Sequence, residues 1–333
     1  MPHPFTSALE LWKEYSFWQT SQQILKRSIA QVMPAEPSLA AAALENALMR
    51  QMIGQSPEPE TLFNGLDEEL IQYGFDCVEA PLPENGARAI LQVVREELQQ
   101  YTNLPMDRAF PTLEVTPEAF RLGQYSLKRI PPIEKAYQVL LRQHEENQAQ
   151  TLLLRARLRY AALYAETRHI GPPQVVYDHF YDCGVRNEGF ASPFNARLLG
   201  KENARFYSLF PETDAPFGSG GSFFQLQTPH HPGHWCLDPP FLPETMQQVD
   251  KIISQWQKEY PDRAILLVIP ESHTPANTPD ETVRLEAGKH YYEGLHHSLH
   301  PLPVNVCVHR YGNLPGFSAE VIKKGYLPED VPS

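Results

Sequence analysis

Four consecutive residues, Asp238-Pro239-Pro240-Phe241, combine the groups needed to activate an amino nitrogen. An ionised carboxylate only accepts hydrogen bonds, so Asp238 can take one amino proton while the Pro239 carbonyl takes the other. Such bonds draw the lone pair back onto a nitrogen whose electrons are otherwise delocalised into a base. Each proline fixes φ at about −65°, which holds the turn rigid, and Phe241 offers a face for stacking. These residue types indicate methyl transfer to the exocyclic amino group of a flipped base.

A purely structural explanation of the tetrapeptide is also open. The four residues would then form a turn at the end of a strand, with Phe241 buried in the core. The chain has 32 prolines, and Pro-Pro pairs also occur at Pro131-Pro132 and Pro172-Pro173. The proline pair alone is therefore not specific for chemistry.

Length and composition predict a globular protein with one large domain or two ordinary ones. The chain has 333 residues, of which 42% are hydrophobic. We expect no membrane partner, because no apolar stretch approaches the roughly 18 to 20 residues of a membrane span. We expect no signal peptide, because the N-terminus has no basic region followed by an apolar one. The four cysteines form no CxxC pair and read as buried thiols in a reducing compartment. The expected location is the cytoplasm, or the nucleus in a eukaryote.

The net charge of −12 argues against strong nonspecific binding of nucleic acid, which depends on neutralising phosphates. A local basic groove is still compatible with it. The candidate residues are Arg155, Arg157, Arg159 and Arg168. Residues two apart do not share a helix face, so a solvated helix face is the favoured interpretation.

The hydrophobic pattern predicts two kinds of structure, which must position these groups. The first part reads as mostly helical, with apolar residues at helical spacing in segments 6–32, 37–53, 87–102 and 133–168. After Gly171, short apolar runs at 188–192, 234–238, 264–270 and 304–309 alternate with helical patterns at 175–180 and 244–260. This alternation predicts an α/β domain with a mostly parallel sheet. Ligands of such sheets bind at the carboxyl ends of the strands, where Ser192, Asp238 and Pro270 are expected.

Several strings of the second part occur in the order found in a known family. They are Pro173–Phe180, Glu188–Asn195, Phe210–Ser219, Asp238–Phe241 and Val268–Glu271. Over roughly residues 172–313, the chain resembles the methyltransferase domain of the phosphorylated-CTD-interacting family. The resemblance implies a Rossmann-like class I methyltransferase sheet flanked by helices in residues 171–333, after a mostly helical domain in residues 1–170. It further implies S-adenosylmethionine as cofactor and N6 of a flipped adenine, cap-proximal in RNA or in DNA, as acceptor.

The resemblance also implies roles for individual residues. The catalytic turn is Asp238, Pro239, Pro240 and Phe241, and Glu271 is a candidate for the base pocket. The methionine end of the donor is assigned to Phe190, Ala191, Ser192, Pro193 and Asn195. The adenosine end is assigned to Asp214, Phe217 and Gly218, with a helix cap (Asp214) and a core aromatic (Phe217) as the structural alternatives.

Two departures from the family leave questions open. Its animal members carry Asn where this chain has Asp238, and Asp is the commoner residue in DNA amino-methyltransferases, so RNA and DNA both stay candidate acceptors. Trp12 and Trp18 are too close together to be the signature pair of a WW module, so binding to a phosphorylated polymerase tail is not expected. The alternatives are methylation of cytosine N4 or of a protein glutamine amide, and a catalytically inactive nucleic-acid-binding relative.

Two further patterns carry no prediction of a site. Histidines are frequent in the second half, but their spacing completes no known set of zinc ligands, and no metal is expected. They are His230, His231, His234, His290, His296, His297, His300 and His309. The segment Gly218–Ser222 lacks the Lys-Ser/Thr of a phosphate-binding loop and reads as a flexible turn.

Overall fold

The computed structural model describes residues 4–52, 59–103, 111–163, 169–296 and 298–328. The chain divides into two compact units, and each is described by itself. The first comprises Met1–Arg129 and Leu140–Ala165, and the second comprises Ile130–Val139 and Glu166–Ser333. Segment 130–139 thus goes with the second unit, although it precedes the last helix of the first one in the sequence. The predicted domain boundary between residues 170 and 171 stays a prediction.

The first unit is mostly helical, as its hydrophobic spacing predicts. Its helices are α1 (Pro4–Val32), α2 (Pro37–Met52), α3 (Pro59–Asn64), α4 (Glu68–Asp76), α5 (Gly86–Thr102) and α7 (Glu146–Leu163). In α5 the buried residues Ile90, Val93, Val94, Glu97 and Leu98 recur every three or four positions, which forms a single buried face. The long helix predicted over 133–168 is two helices, because the chain turns between α6 (Pro131–Leu141) and α7.

A small antiparallel sheet in the first unit was not predicted. Strands β1 (Leu113–Val115), β2 (Ala119–Leu122) and β3 (Tyr125–Lys128) pair in sequence order. Each strand has only three or four residues, and alternation over so short a run is a weak signal.

The arginines of α7 do not form the solvated helix face that was expected. Arg157 and Arg159 are buried, and the Arg159 guanidinium pairs with the carboxylate of Glu14 on α1. Arg155 pairs with Glu10 at 2.8 Å. Arg155 and Arg159 therefore join α7 to α1, and Arg157 is buried, so these three residues do not form a basic groove. Arg168 lies outside the described residues.

The second unit is built around a mixed sheet of six strands. Its strands are β4 (Val185–Gly189), β5 (Arg205–Phe206), β6 (His234–Leu237), β7 (Ile265–Pro270), β8 (Glu281–Leu285) and β11 (Val306–Tyr311), in the spatial order β5-β4-β6-β7-β11-β8. The first four strands run parallel, whereas β11 is antiparallel to both β7 and β8. Strands β9 (Tyr291–Glu293) and β10 (Leu299–Pro301) form a separate antiparallel pair.

The predicted strands occur near their expected positions, with two differences. The strand expected at 188–192 is β4 and ends at Gly189, because Phe190 leaves the extended conformation with φ 69°. The strand expected at 304–309 is β11, which runs against its neighbours, and a run of apolar residues does not reveal strand direction. The α/β prediction is confirmed as a mixed α/β fold with a helical N-terminal region and a mixed sheet.

Both faces of the six-stranded sheet are covered by helices. Trp235 and Leu237 of β6 point to one face, where they pack with Val249, Ile253 and Trp256 of α10 (Pro243–Glu259). Cys236 of the same strand points to the other face, toward Tyr177 of α8 (Gln174–Asp182) and Tyr326, which follows α11 (Ala319–Gly325). Since side chains alternate along a strand, Asp238 continues the Cys236 side.

No helix within the described residues is long and apolar enough to cross a membrane.

Candidate functional site

The strand order reverses between β4 and β6, and this is where the predicted motifs meet. From β4 the chain goes to β5 on one side, then crosses to β6 on the other side of β4. At such a point the connections diverge and leave a crevice outside the carboxyl ends of the strands. Residues 190–195 follow the end of β4, and Asp238–Phe241 follow the end of β6. The fold therefore places both motifs at one crevice.

The Asp238 turn links a buried strand to a helix. Residues Trp235–Leu237 are fully buried, and α10 begins at Pro243. The Leu242 amide donates to the Pro240 carbonyl at 2.7 Å, which closes the turn. The Pro239 carbonyl accepts no hydrogen bond from the described part of the chain. It is therefore free to accept one from a bound amino group. Phe241 is half-buried and packs against the core on the α8 side of the sheet.

The two carboxylate oxygens of Asp238 have different surroundings. Oδ1 accepts a hydrogen bond of 3.2 Å from the hydroxyl of Tyr292 on β9. Oδ2 faces Gly171, at which an added Cβ would lie 3.6 Å from that oxygen. Burial raises the pKa of Asp238 to about 8, the Glu188 carboxylate adds to the rise, and the Tyr292 hydrogen bond and Arg197 oppose it. The carboxyl group is thus poised to titrate near neutral pH.

Glu188 is a second buried carboxylate beside the first. It pairs with Cys236 across the parallel strands β4 and β6, so its side chain lies on the same face as that of Asp238. Its two oxygens accept hydrogen bonds from the amides of Arg197 (3.1 Å) and Leu198 (2.9 Å). Burial raises the pKa of Glu188, while these amides and the nearby charges of Arg197 and Lys135 lower it. Glu188 therefore fixes the segment that follows the 190–195 loop.

Arg197 connects the loop to the segment that faces Asp238. Its Nε donates to the Pro172 carbonyl at 3.0 Å, and its guanidinium donates to the Glu293 carbonyl at 2.7 Å. Glu293 and Gly171 exchange two backbone hydrogen bonds of 2.8 and 3.2 Å. These bonds help to position Gly171 near Oδ2 of Asp238 and Tyr292 near Oδ1.

The 190–195 loop is held by its own side chains. Asn195 Oδ1 accepts hydrogen bonds from the Ser192 amide (2.7 Å) and the Ser192 hydroxyl (2.9 Å). The His169 ring contacts the same hydroxyl through Nδ1 at 3.2 Å. Ala191, Ser192 and Pro193 are buried, and Phe190 has the left-handed φ of 69°, which is strained for a bulky residue. The Phe190 ring packs 4.8 Å from that of Phe223.

Asp214, Phe217 and Gly218 follow β5, in the short helix α9 (Pro211–Asp214) and the turn after it. Asp214 is 0% exposed, and its Oδ1 accepts a hydrogen bond of 3.1 Å from the Thr213 hydroxyl. Phe217 is 2% exposed, with its ring centroid 6.1 Å from that of Phe194. Gly218 has φ 93°, and a Cβ there would meet nothing within 4 Å. The acid and the aromatic ring thus belong to the core as the chain is folded, and their contacts with a donor stay predictions.

The Gly218–Ser222 segment folds back on the end of β5. The Gly220 amide donates to the Phe206 carbonyl at 2.8 Å, and the Gly221 carbonyl accepts from the Ser208 amide at 2.8 Å. The segment therefore lies beside the end of β5, where Ser219 forms a parallel bridge with Phe206.

Glu271 is exposed and already engaged. Its carboxylate pairs with Arg284 Nε at 2.6 Å and accepts a hydrogen bond of 2.7 Å from Asn305. These two partners, Asn305 first, lower the pKa of Glu271. As placed, both oxygens bind neighbours on the antiparallel side of the sheet, and its role in a base pocket stays a prediction.

Sequence reasoning missed several residues of the site, namely His169, Gly171, Glu188, Arg197 and Tyr292. Glu188 begins one of the family-like strings, so that string was a signal for it. Tyr292 lies 54 residues after Asp238 in a strand that the pattern did not predict, and nothing local indicates the contact. Within the described residues, no group of three or more His, Cys, Asp or Glu side chains can hold a metal ion, and His297 is outside them.

A groove along α10 is a separate feature, lined by Gln247, Asp250, Lys251, Ser254 and His273 among others. None of the candidate site residues described above lines this groove. His273 Nε2 lies 2.8 Å from Asp250 Oδ2 and fastens the following loop to the helix.

Residues 134–296 match the family model described as "Phosphorylated CTD interacting factor 1 WW domain". The chain matches none of the curated proteins with which it was compared. The two tryptophans of the matched segment, Trp235 and Trp256, are 0% and 1% exposed, with ring centroids 4.9 Å apart. These rings are core residues and offer no surface to a proline-rich peptide. That the chain does not bind a phosphorylated polymerase tail stays a prediction.

The matched segment runs from within α6 to the loop after β9. It includes the 190–195 loop, the Asp238 turn and Tyr292, and with them every string on which the resemblance was based. The resemblance expected from the sequence is thereby confirmed: over residues 134–296, the chain matches the phosphorylated CTD interacting factor 1 family.

Proposed function

We propose that the protein is an S-adenosylmethionine-dependent methyltransferase that modifies N6 of adenine in a nucleic acid. The observation that carries the proposal is the position of Asp238. It is a partly buried carboxylate with a raised pKa, in a Pro-Pro turn at the point where the strand order of the sheet reverses. Perturbed carboxylates in crevices of this kind are frequently functional. The match to the family supports the same reaction class.

The crevice between the ends of β4 and β6 fits a donor in its backbone geometry. The Phe190 backbone turns sharply at the end of β4, and Gly218 and Gly221 have φ values of 93° with open space where a side chain would be. Residues 190–195 and Gly218 would hold the cofactor, whose chemistry is to supply a methyl group from a sulfonium. The burial of Asp214 fits the ribose less well, and we assign that residue no contact.

Asp238 and Pro239 orient the acceptor in this proposal. The amino group of adenine donates one hydrogen bond to Asp238 and one to the Pro239 carbonyl, which turns its lone pair toward the methyl carbon. With the donor bound, the transferred methyl group would replace one proton of the amino group, and the nitrogen must lose that proton. An ionised Asp238 already bonded to that proton is in position to receive it, and its raised pKa makes it a suitable acceptor. Phe241 supplies a ring on which the base stacks.

Because of the family, we propose RNA as the first acceptor to test, including an adenosine near the cap. DNA is the second candidate polymer. Asp238 in place of the family's Asn is what keeps DNA a candidate. A carboxylate and an amide oxygen both accept from an amino group, so the turn also suits cytosine N4 and a glutamine amide.

The test is incubation with labelled S-adenosylmethionine and separate pools of capped RNA, uncapped RNA, single-stranded DNA and duplex DNA, followed by nucleoside analysis. N6-methyladenosine or its deoxy form in at least one pool is the expected result. Label in cytosine or in protein would instead indicate that the acceptor is cytosine N4 or a protein amide. Calorimetry with the donor separates these outcomes from an inactive relative, because a chain that does not bind the donor cannot transfer its methyl group.

A further inference from the structure

Tyr292 is held rigidly beside Asp238. It is 4% exposed, and its ring stacks on that of Tyr326 with centroids 6.2 Å apart and planes at 30°. The next residue, Glu293, exchanges backbone hydrogen bonds with Gly171, and its carboxylate accepts from the Gln174 amide at 2.8 Å. The Tyr292 hydroxyl therefore reaches Asp238 from a fixed direction.

We propose that Tyr292 is a positioning residue for methyl transfer: its hydroxyl holds Oδ1 of Asp238, so that Oδ2, on the Gly171 side, is the oxygen offered to the amino group of the acceptor. This inference rests on the proposed function. Gly171 suits it, because a residue without a side chain leaves the approach to Oδ2 open. An amino group that bonded to Oδ1 would instead compete with the tyrosine.

The charges around Asp238 give the hydroxyl a second effect. The titratable and charged groups that face it are Glu188 on β4, Arg197 after β4, Tyr177 on α8, Cys236 on β6, Tyr292 on β9 and Tyr326 after α11. Of these, Tyr292 donates directly to the carboxylate, and this bond lowers the pKa of Asp238 against the rise caused by burial. Loss of the hydroxyl should therefore raise that pKa further.

The test compares Tyr292→Phe with Tyr326→Phe. Both variants remove one hydroxyl from the same stacked pair, but the Tyr326 hydroxyl has no hydrogen-bond partner in the described part of the chain. In Tyr292→Phe, kcat at pH 7 should fall about tenfold, since a hydrogen bond to a charged group is lost. The midpoint of the rise of kcat/KM with pH should move upward, whereas Tyr326→Phe keeps the wild-type midpoint.

Two outcomes would overturn the inference. One is an equal loss in Tyr292→Phe at every pH with no change of midpoint, which is the result of a merely structural role. The other is the same shift in both variants. In the Asp238→Asn background, Tyr292→Phe should shift no midpoint, because the titrating group is gone.

Thermal unfolding distinguishes a failure of this inference from a failure of the proposed function. The stability difference between wild type and Asp238→Asn, followed from pH 4 to 10, reports the titration of Asp238 without any substrate. Tyr292→Phe should extend the falling part of this difference to higher pH. If no acceptor is methylated but this shift occurs, the proposed function fails and the Tyr292–Asp238 coupling stands. If transfer occurs but the difference curves coincide, the inference fails alone.

Discussion

One buried carboxylate in each unit makes an instructive comparison: Glu14 of the helical unit contacts a cation, whereas Asp238 of the sheet unit does not. In the helical unit, Arg159 pairs with the buried Glu14, and Arg27 pairs with Glu96 (2.7 Å) and Glu97 (2.5 Å). In the sheet unit, Asp238 contacts a hydroxyl and no cation among the described residues. Its pKa is raised to about 8 as a result of burial. A paired charge fits a structural role, whereas an unneutralised carboxylate costs stability and is retained where it has chemistry to do.

The sharpest way to break this comparison is to remove the carboxylate. Asp238→Ala should lower methyl transfer by about 10³-fold or more, because no group is left to accept the amino proton. Donor affinity should stay near that of the wild type, since Asp238 is assigned to the acceptor. Kinetics with labelled donor and calorimetry measure the two quantities. Wild-type turnover in this variant would refute the mechanism.

The matching change in the helical unit should affect stability instead. Arg159→Met leaves Glu14 buried without its partner and should cost about 3 to 5 kcal/mol of unfolding free energy. The double variant Glu14→Leu/Arg159→Met removes both charges and should recover most of this loss. Denaturant unfolding of the three variants measures it. If the single and double variants are equally unstable, the loss of stability does not come from leaving Glu14 without its partner.

A third prediction concerns pH. Because Asp238 must be ionised to accept an amino proton, kcat/KM should rise with pH, by about tenfold per unit below the midpoint, and level off above about pH 8. Asp238→Asn keeps an acceptor oxygen without a titration, so it should retain measurable transfer with a flat profile over this range. A wild-type profile that is flat from pH 6 to 9 would contradict it.

The same carboxylate predicts the sign of the stability change. The pKa of Asp238 is higher in the folded protein than in the unfolded chain, where it is about 4. The folded state therefore binds more protons between these values, and the stability of wild type relative to Asp238→Asn should fall as pH rises from about 4 to about 8.

The smallest effect is expected at Glu271. It is an exposed carboxylate already paired with Arg284, and exposed ion pairs contribute little to stability. Glu271→Gln should leave both the stability and the KM for the acceptor nearly unchanged. A large rise in KM would instead restore Glu271 to the base pocket.

Local patterns predicted a good part of the second unit. Apolar residues at helical spacing predicted α10 to within one residue at each end, and the apolar runs predicted β6 and β7 to within one residue. The end of β6 then placed Asp238 at the carboxyl edge of the sheet. These features depend on residues close in the chain, which is the range over which a hydrophobic pattern acts.

The patterns gave no information where partners are distant in sequence. The reversed direction of β11, the burial of Asp214 and the engagement of Glu271 by Arg284 and Asn305 all depend on how strands and loops assemble. The arginines of α7 show the same limit, because a helix cannot indicate which of its faces a second helix will cover.

Asp238 shows what the sequence alone determines and what only the folded structure determines. The sequence by itself determined which groups are present at the turn, that they follow a buried strand, and so which chemistry they can perform. Only the tertiary structure decided that Tyr292, Glu188 and Arg197 surround the carboxylate, and that one of its oxygens is held while the other faces a glycine. The reason is physical: desolvation and charge–charge interactions depend on distance in space, and these neighbours are brought together by folding alone.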